Sequence, residues 1–292
     1  MSEAVKTWST PVSAQESRRI PCVLCGGEVF KPALACEGFS YVRCARCGLI
    51  QMNPQPLLRE VRFRYREGHG ENYLAYEIAN EPAFLDLQER SLHDAGFYRL
   101  EESLFSQAEA PAVLDIGCAT GALLETLAKR GWKTTGVELS VPQADYARRF
   151  RGLDVRPQSL EECRFTGGSF QAALASHLVE HVNDPASLIR EVRRILAAGG
   201  VFFITTPNSA GFQARLFRGR WRSAIFDHLY LFSVKTLRAL LEQNGFSIEK
   251  IITWGGLGAG IAPAFIKKQA DRWAKRLGAG DVMMIRARKS NG

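Results

Sequence analysis

Residues Pro111–Gly131 read P-A-V-L-D-I-G-C-A-T-G-A-L-L-E-T-L-A-K-R-G, and this stretch decides the fold. Ala112–Ile116 is an apolar run with β-branched content after a proline, the pattern of a buried strand. Leu123, Leu124, Leu127 and Ala128 repeat at helical spacing, and Gly131 supplies the stop. Between strand and helix lies Gly117-Cys118-Ala119-Thr120-Gly121, a turn with glycine at both ends. A ligand can approach the backbone there and meet the free N–H groups of the helix that follows. The turn is not G-x-G-x-x-G, because Ala119 and Ala122 stand at the second and third glycine positions. Its pattern is D-x-G-x-x-x-G, with Asp115 two residues before Gly117. A second acid, Glu138, closes the next apolar segment (Thr134–Val137), about where a carboxylate reaches a ribose diol. Acid, open glycine turn and second acid suit a ligand with a ribose and a positive charge and no pyrophosphate.

Outward from this anchor, apolar strand-like runs alternate with helical ones. A helix is expected from Pro142 to about Phe150, then strands at Leu153–Arg156 and Phe170–Ala175. Asp184 and Pro185 form an N-cap and first-turn pair for a helix over Ala186–Leu196. Val201–Thr205 reads as a strand, Ser233–Asn244 as an amphipathic helix, and Phe246–Trp254 as a strand. Pro263–Leu277 reads as a basic amphipathic helix and Asp281–Arg288 as a last strand. Such alternation specifies an α/β doubly wound sheet with its ligand crevice at the C-terminal ends of the strands.

These motifs resemble the class I S-adenosylmethionine-dependent methyltransferases, whose first motif is D-x-G-x-x-x-G and whose second ends in an acid. The resemblance implies a seven-stranded Rossmann-like sheet with the last strand antiparallel, and S-adenosylmethionine as cofactor. It implies cofactor contacts from Asp115, Gly117, Cys118, Gly121, Glu138, Leu139, Ser159, Leu160, Ser176 and Tyr73. In such enzymes helices before the first strand often form a lid. The segment Leu57–Gln107 has that place and carries Tyr65, Tyr73 and Tyr76; breaks are expected at Gly68-His69-Gly70 and at Pro82.

Four cysteines, Cys22, Cys25, Cys44 and Cys47, follow C-x2-C-x18-C-x2-C, the spacing of a structural zinc site. Gly26 and Gly48 let each knuckle turn back toward the metal. Four thiolates leave no open position, so this zinc folds the segment and does no chemistry. The expected organisation is a mobile tail (1–19), a zinc ribbon (20–54), a helical lid or linker (55–107) and a cofactor-binding core (108–292).

At 292 residues the chain has room for one large domain and a small accessory unit. No run approaches the roughly eighteen apolar residues of a membrane span. M-S-E-A-V-K-T-W-S-T lacks a signal-peptide core, so a cytoplasmic protein with reduced cysteines is expected. The net charge of +8 is uneven. Arg215, Arg218, Arg220 and Arg222 fall between Pro207 and Phe226 with no acid, and a second basic stretch runs from Ala264 to the end. Either stretch can be a solvated face, or can meet an acidic substrate, a membrane surface or nucleic acid.

Candidate chemistry lies at two places. His177, Glu180 and His181 spell H-x-x-E-H at the end of the fourth strand, beside the expected transfer point. A protease metal motif would need this triplet within a helix. In ubiquinone-pathway O-methyltransferases a similar stretch, with an acid where His177 stands, binds a divalent cation. Farther on, F-D-H-L-Y-L-F-S (Phe226–Ser233) looks like a segment of the zinc-ribbon methyltransferases of sugar and natural-product pathways, where an acid–His pair acts on the substrate. Carried over, Asp227 orients His228 as general base. The expected activity is methylation of a small molecule (a sugar, lipid precursor or secondary metabolite, on O, C or N) by in-line displacement. The alternatives are an RNA methyltransferase gripping through ribbon and basic stretches, and a non-catalytic cofactor-binding subunit. A membrane contact through 263–277 fits a lipidic substrate; oligomeric state is unreadable.

Overall fold

A computed structural model describes residues 17–36, 38–57, 70–106, 110–256, 264–276 and 278–290. β1 (Ser17–Arg18) pairs antiparallel with β5 (Gln55–Pro56), so the tail expected over 1–19 ends in a strand. Residues 1–16 lie outside the described residues. Between them β2 (Phe30–Cys36), β3 (Phe39–Cys44) and β4 (Ile50–Met52) form an antiparallel meander. Its knuckle glycines, Gly26 at φ 68° and Gly48 at φ 83°, adopt the left-handed conformation that other residues resist.

Helix α1 (Gly70–Ala95) and helix α2 (Phe97–Phe105) follow, hinged at Gly96. The break expected at Pro82 does not occur, because α1 runs straight through it. A mid-helix proline removes one backbone hydrogen bond and crowds the preceding turn. Here tertiary contacts hold the helix together: Glu81, next to the proline, accepts from Thr120 Oγ1 at 2.7 Å and pairs with Arg151 at 2.6 Å. Of the break expected at 68–70, residues 68 and 69 lie outside the described residues.

The main sheet comprises β6 (Ala112–Ile116), β7 (Lys133–Val137), β8 (Val155–Arg156), β9 (Phe170–Ser176), β10 (Leu196–Pro207), β12 (Phe246–Trp254) and β13 (Val282–Lys289). Its spatial order is β12-β13-β10-β9-β6-β7-β8. All neighbours from β10 to β8 are parallel, and β13 inserts antiparallel between β10 and β12. The expected seven-stranded sheet with an antiparallel last strand is what forms. Connecting helices are α3 (Ala122–Lys129), α4 (Val141–Arg151), α5 (Pro185–Ile195), α6 (Phe212–Phe217), α7 (Val234–Gln243) and α8 (Ala264–Arg276). Asp184 caps α5 by accepting from Ser187 N, and Ser233 with Thr236 makes a capping box on α7.

The ribbon is not self-contained. β11 (Tyr230–Leu231), which the sequence assigns to the core, adds antiparallel to β4 as the fourth strand of the ribbon sheet. Buried ribbon and core residues, among them Tyr41, Leu49, Met52, Leu229 and Phe232, share one hydrophobic cluster with Ile189, Phe202 and Ile204 of the main sheet and α5. No helix among the described residues is long and apolar enough to cross a membrane.

Candidate active site

The chain order reverses between β6 and β9, and the crevice of a doubly wound sheet opens at such a point. Asp115 is the penultimate residue of β6 and is 3% exposed; Glu138 follows β7 and is 8% exposed. Between them the turn takes positive φ at Gly117 (76°), Ala119 (49°) and Gly121 (78°). A Cβ at Gly117 would stand in ordinary contact with the Leu178 side chain, 3.5 Å away. Gly121 is needed for packing, since a Cβ there would lie 2.7 Å from Leu153. Glu138 fixes the turn: its Oε2 accepts from Ala119 N at 3.0 Å and its Oε1 from Ser140 N at 2.8 Å. Cys118 turns its thiol inward, and its Sγ sits close under Gly136 of β7.

Helix α1 lies along this turn. Arg151 Nε donates to Thr120 O at 2.9 Å while its guanidinium pairs with Glu81 and Glu125. One turn earlier, Tyr73 hydrogen-bonds Glu77, and the fields of Glu138 and Glu81 act on Glu77. Three carboxyls around the turn hold their protons more tightly than usual. Burial, then the nearby Glu138, pushes Asp115 up to about 7. Burial raises Glu138 despite its backbone donors. Burial, together with Glu138 and Glu81, pushes Glu77 up to about 6.

A ribonucleoside carrying positive charge fits this cradle on three observations. The acids are crowded, and burial and Glu138 together raise both Asp115 and Glu77. The turn carries no side chain at Gly117, where the nearest atoms to a Cβ would be those of the Leu178 side chain. Ser140 Oγ and Gln143 Nε2, at the start of α4, are buried without a hydrogen-bond partner, a condition that costs free energy unless a polar ligand or water satisfies them. Leu139 lies between Glu138 and Ser140. Ser159 and Leu160 sit in the turn after β8, where Ser159 N donates to Glu162 Oε2 at 2.9 Å and Leu160 is buried. Ser176 shares a cavity of about 20 Å³ with Asp115, Thr205 and Gln88.

Beyond β9 the chain enters the histidine segment, with His177 at φ 52°. Glu180, 1% exposed, accepts from Thr206 Oγ1 at 2.8 Å, and its Oε1 lies 3.3 Å from His177 Nδ1. Its carbonyl accepts from Leu229 N at 2.7 Å, which brings the Phe226–Ser233 segment alongside. The result is a cluster that sequence spacing does not reveal. His181 and His228 meet edge to face with ring centroids 4.7 Å apart, and Glu180, His181 and His228 each place a ligand atom within 4.8 Å of the other two.

Each imidazole is oriented by a main-chain carbonyl. His181 Nδ1 bonds Asp227 O at 3.0 Å, and His228 Nδ1 bonds Ser223 O at 2.8 Å. Nδ1 therefore carries the proton and Nε2 the lone pair in each neutral ring. His228 is 7% exposed, and burial with the adjacent His181 lowers it to about 3. Burial acts to raise Glu180, but His177, His181 and His228 outweigh it and bring the carboxyl down to about 2.

The ribbon supports this cluster from below. Tyr41 of β3 places its hydroxyl 2.7 Å from both Ile225 O and His228 O. Met52 N donates to Leu229 O, and Tyr230 OH donates to Asn183 O at 2.8 Å. In the knuckles the Sγ atoms of Cys22 and Cys47 are 3.4 Å apart and those of Cys25 and Cys44 are 3.5 Å apart, all four within 4.8 Å. Four thiolates at about 2.3 Å from a shared zinc would stand at comparable separations, so this donor set fits zinc. Tyr41, Glu77 and Glu81 were not legible as site residues in the sequence; only their place in ribbon and lid pointed toward them.

A protein-family profile described as "Methyltransferase domain" matches residues 88–251. The ubiquinone biosynthesis O-methyltransferase of Xanthomonas campestris pv. campestris (strain B100) is 32% identical over 165 residues, covering 54% of this chain and 67% of that one. Its counterpart in Xanthomonas oryzae pv. oryzae (strain PXO99A) is 38% identical over 103 residues, covering 33% of this chain and 43% of that one. The chain thus spans less than half the length of some of the curated relatives it matches. Among solved structures, a Haloferax volcanii methyltransferase in complex with the Trm112 methyltransferase activator is 16% identical, with 78% of this chain and 98% of that one covered and a TM-score of 0.56. At that identity it attests the fold alone.

Proposed function

The chain belongs to the class I S-adenosylmethionine-dependent methyltransferase family, and from that premise we propose that it methylates a hydroxyl of a small molecule, with His181 as the general base. The carrying observation is the juxtaposition of a cation-deficient nucleoside cradle with an oriented imidazole pair at the end of the next strand. O-methylation is favoured by the ubiquinone biosynthesis relatives.

S-adenosylmethionine, when bound, supplies an electrophilic methyl group on a sulfonium centre. Glu138 is suited to the ribose diol, since its outer lone pairs stay open after it has accepted from Ala119 and Ser140. Asp115 and Glu77 give negative charge for the cationic part of the cofactor, with Tyr73 fixing Glu77. Gly117 leaves room for close approach. His181 is half-buried and held by Asp227 O, so its Nε2 can take a proton from an acceptor hydroxyl. His228 is too deeply buried, and too weakly basic, to be the primary acceptor near pH 7. It acts instead as a neutral neighbour that, with Glu180, holds the His181 ring in place. A zinc ion on Cys22, Cys25, Cys44 and Cys47 stabilises the platform under this cluster.

A second reading rests on the carbonyl bonds to both Nδ1 atoms, which also characterise histidines that ligate metals through Nε2. Glu180, His181 and His228 would then hold a divalent cation that lowers the acidity barrier of the hydroxyl. Calorimetry with S-adenosylmethionine, turnover of methyl-labelled cofactor against hydroxylated small molecules and RNA, and metal analysis together test both readings. One metal per chain with transfer to a small hydroxylated acceptor supports the base, and two metals per chain supports the cation. Transfer to RNA alone, or no binding of the cofactor, removes the proposal.

A further inference from the structure

Helix α6 and the turn after it point outward a set of side chains that the cofactor site does not use. Phe212 is 49% exposed, Leu216 57% and Phe217 38%. Phe212 and Leu216 are one helical turn apart and share a face. Arg215, Arg218 and Arg220 are exposed around them, and residues 207–226 contain no acid. No ion pair engages these three arginines among the described residues.

The segment is firmly anchored, so the exposure is not that of a loose loop. Gln213 and Ala214 face inward. Phe212 N donates to Ala279 O at 2.9 Å. Trp221 is 2% exposed and donates from Nε1 to Asp281 at 2.5 Å, and Arg222 pairs with the same buried carboxylate at 2.6 Å. Gly219 lies against the ribbon: a Cβ there would stand 2.4 Å from Ala35 O. Core and ribbon both fix the base of the segment, while its apolar and cationic tips remain in solvent.

We propose that Phe212, Leu216 and Phe217, ringed by Arg215, Arg218 and Arg220, form a docking surface for an anionic lipid bilayer. Burying the apolar tips at the headgroup boundary and pairing the arginines with lipid phosphates satisfies both halves of the patch at once. A six-residue helix rises about 9 Å, so it lies on the surface and does not span. A single-stranded nucleic acid would also attract the arginines, but it would favour flat aromatic platforms for stacking. Phe212 and Phe217 offer such faces, but the aliphatic Leu216, the most exposed of the three, has no stacking partner there and is satisfied by a bilayer. This inference does not depend on the methyl-transfer reading, because its readout is partition and not turnover.

The test is co-sedimentation of the full chain with vesicles of phosphatidylcholine alone or mixed with phosphatidylglycerol. Binding is expected to the anionic vesicles and to weaken with salt. Arg215→Glu and Arg220→Glu should each lower it about fivefold or more, from roughly 1 kcal/mol per cation near an anionic surface. Leu216→Ser with Phe217→Ser should lower it at least tenfold, with unchanged cofactor affinity and melting temperature showing that the fold persists. Equal partition to both vesicle types, no partition to either, or arginine-dependent binding of RNA with vesicle binding insensitive to Leu216→Ser and Phe217→Ser would each overturn the proposal.

Discussion

The two halves of the crevice handle buried charge in opposite ways. Around the glycine turn, Asp115, Glu138 and Glu77 crowd together, the neighbouring Arg151 is engaged by Glu81 and Glu125, and all three carboxyls are raised. Around the histidine segment, one deeply buried carboxylate, Glu180, is surrounded by three imidazoles and is lowered. The first half is an incomplete charge set that a cation would complete. The second sets a single carboxylate among hydrogen-bonding imidazoles, an environment suited to a neutral acceptor. On the proposed reading, one side of the site binds and the other moves a proton.

The contrast breaks most sharply at His181. If it takes the proton, His181→Ala should lower kcat by about 10²–10⁴ while leaving cofactor affinity within about twofold of wild type by calorimetry. Comparable turnover in the variant would end the division of labour. Next in size is Glu138→Ala on the binding side. It removes the proposed ribose acceptor and also strips two buried N–H groups, Ala119 and Ser140, of their partner. A loss of about 3–4 kcal/mol, or roughly 10²–10³ in affinity, is expected. A change below about threefold would mean that the ligand does not use this carboxylate.

How much of this was legible in the sequence follows the same division. The binding half is local: Asp115, the turn and Glu138 fall within twenty-four residues on two adjacent parallel strands, so spacing alone pointed to them. The strand and helix order was legible for the same reason, since each element has its own periodicity and cap. The histidine half is assembled across the chain. His181 and His228 are far apart in sequence, and their contact depends on β11 leaving the core to pair with β4. No local pattern encodes that exchange. The expected Asp227 side-chain role on His228 came from a family likeness; in the structure the Nδ1 partner of His228 is Ser223 O, and Asp227 offers its own carbonyl to His181. A carbonyl is invisible to residue-type reasoning.

A third, smaller effect separates the halves mechanically. Tyr41→Phe removes the hydroxyl that serves the carbonyls of Ile225 and His228 in a site 1% exposed. Unmet buried carbonyls cost about 1–3 kcal/mol, which should lower the melting temperature by roughly 2–10 °C. Because Tyr41 bonds the histidine segment, kcat should fall while cofactor affinity holds. Zinc removal by a chelator should produce the same asymmetry in stronger form. If Tyr41→Phe weakened cofactor binding as much as turnover, the ribbon would be supporting the whole crevice.

The smallest effect follows from protons. In the free protein Asp115 rises from 3.8 to about 7, so between about pH 4 and 7 the folded state holds a proton that the unfolded chain releases. Stability from this group therefore falls as pH rises through that window. Glu180 works the other way: lowered from 4.5 to about 2, it contributes its stabilisation above about 4.5 and loses it as pH falls toward 2. A cationic ligand at the turn favours the ionised forms of Asp115 and Glu77, so binding must expel protons below about pH 7. Affinity for S-adenosylmethionine should then rise by up to about tenfold per pH unit between 6 and 7 and level off above about 8. S-adenosylhomocysteine, whose sulfur is neutral, should show a shallower slope. Calorimetry at pH 6.5 in buffers of different ionisation enthalpy measures the released protons directly. If none is released with the charged cofactor, the turn's acids are neutralised by something else, and the contrast between the two halves loses its electrostatic basis.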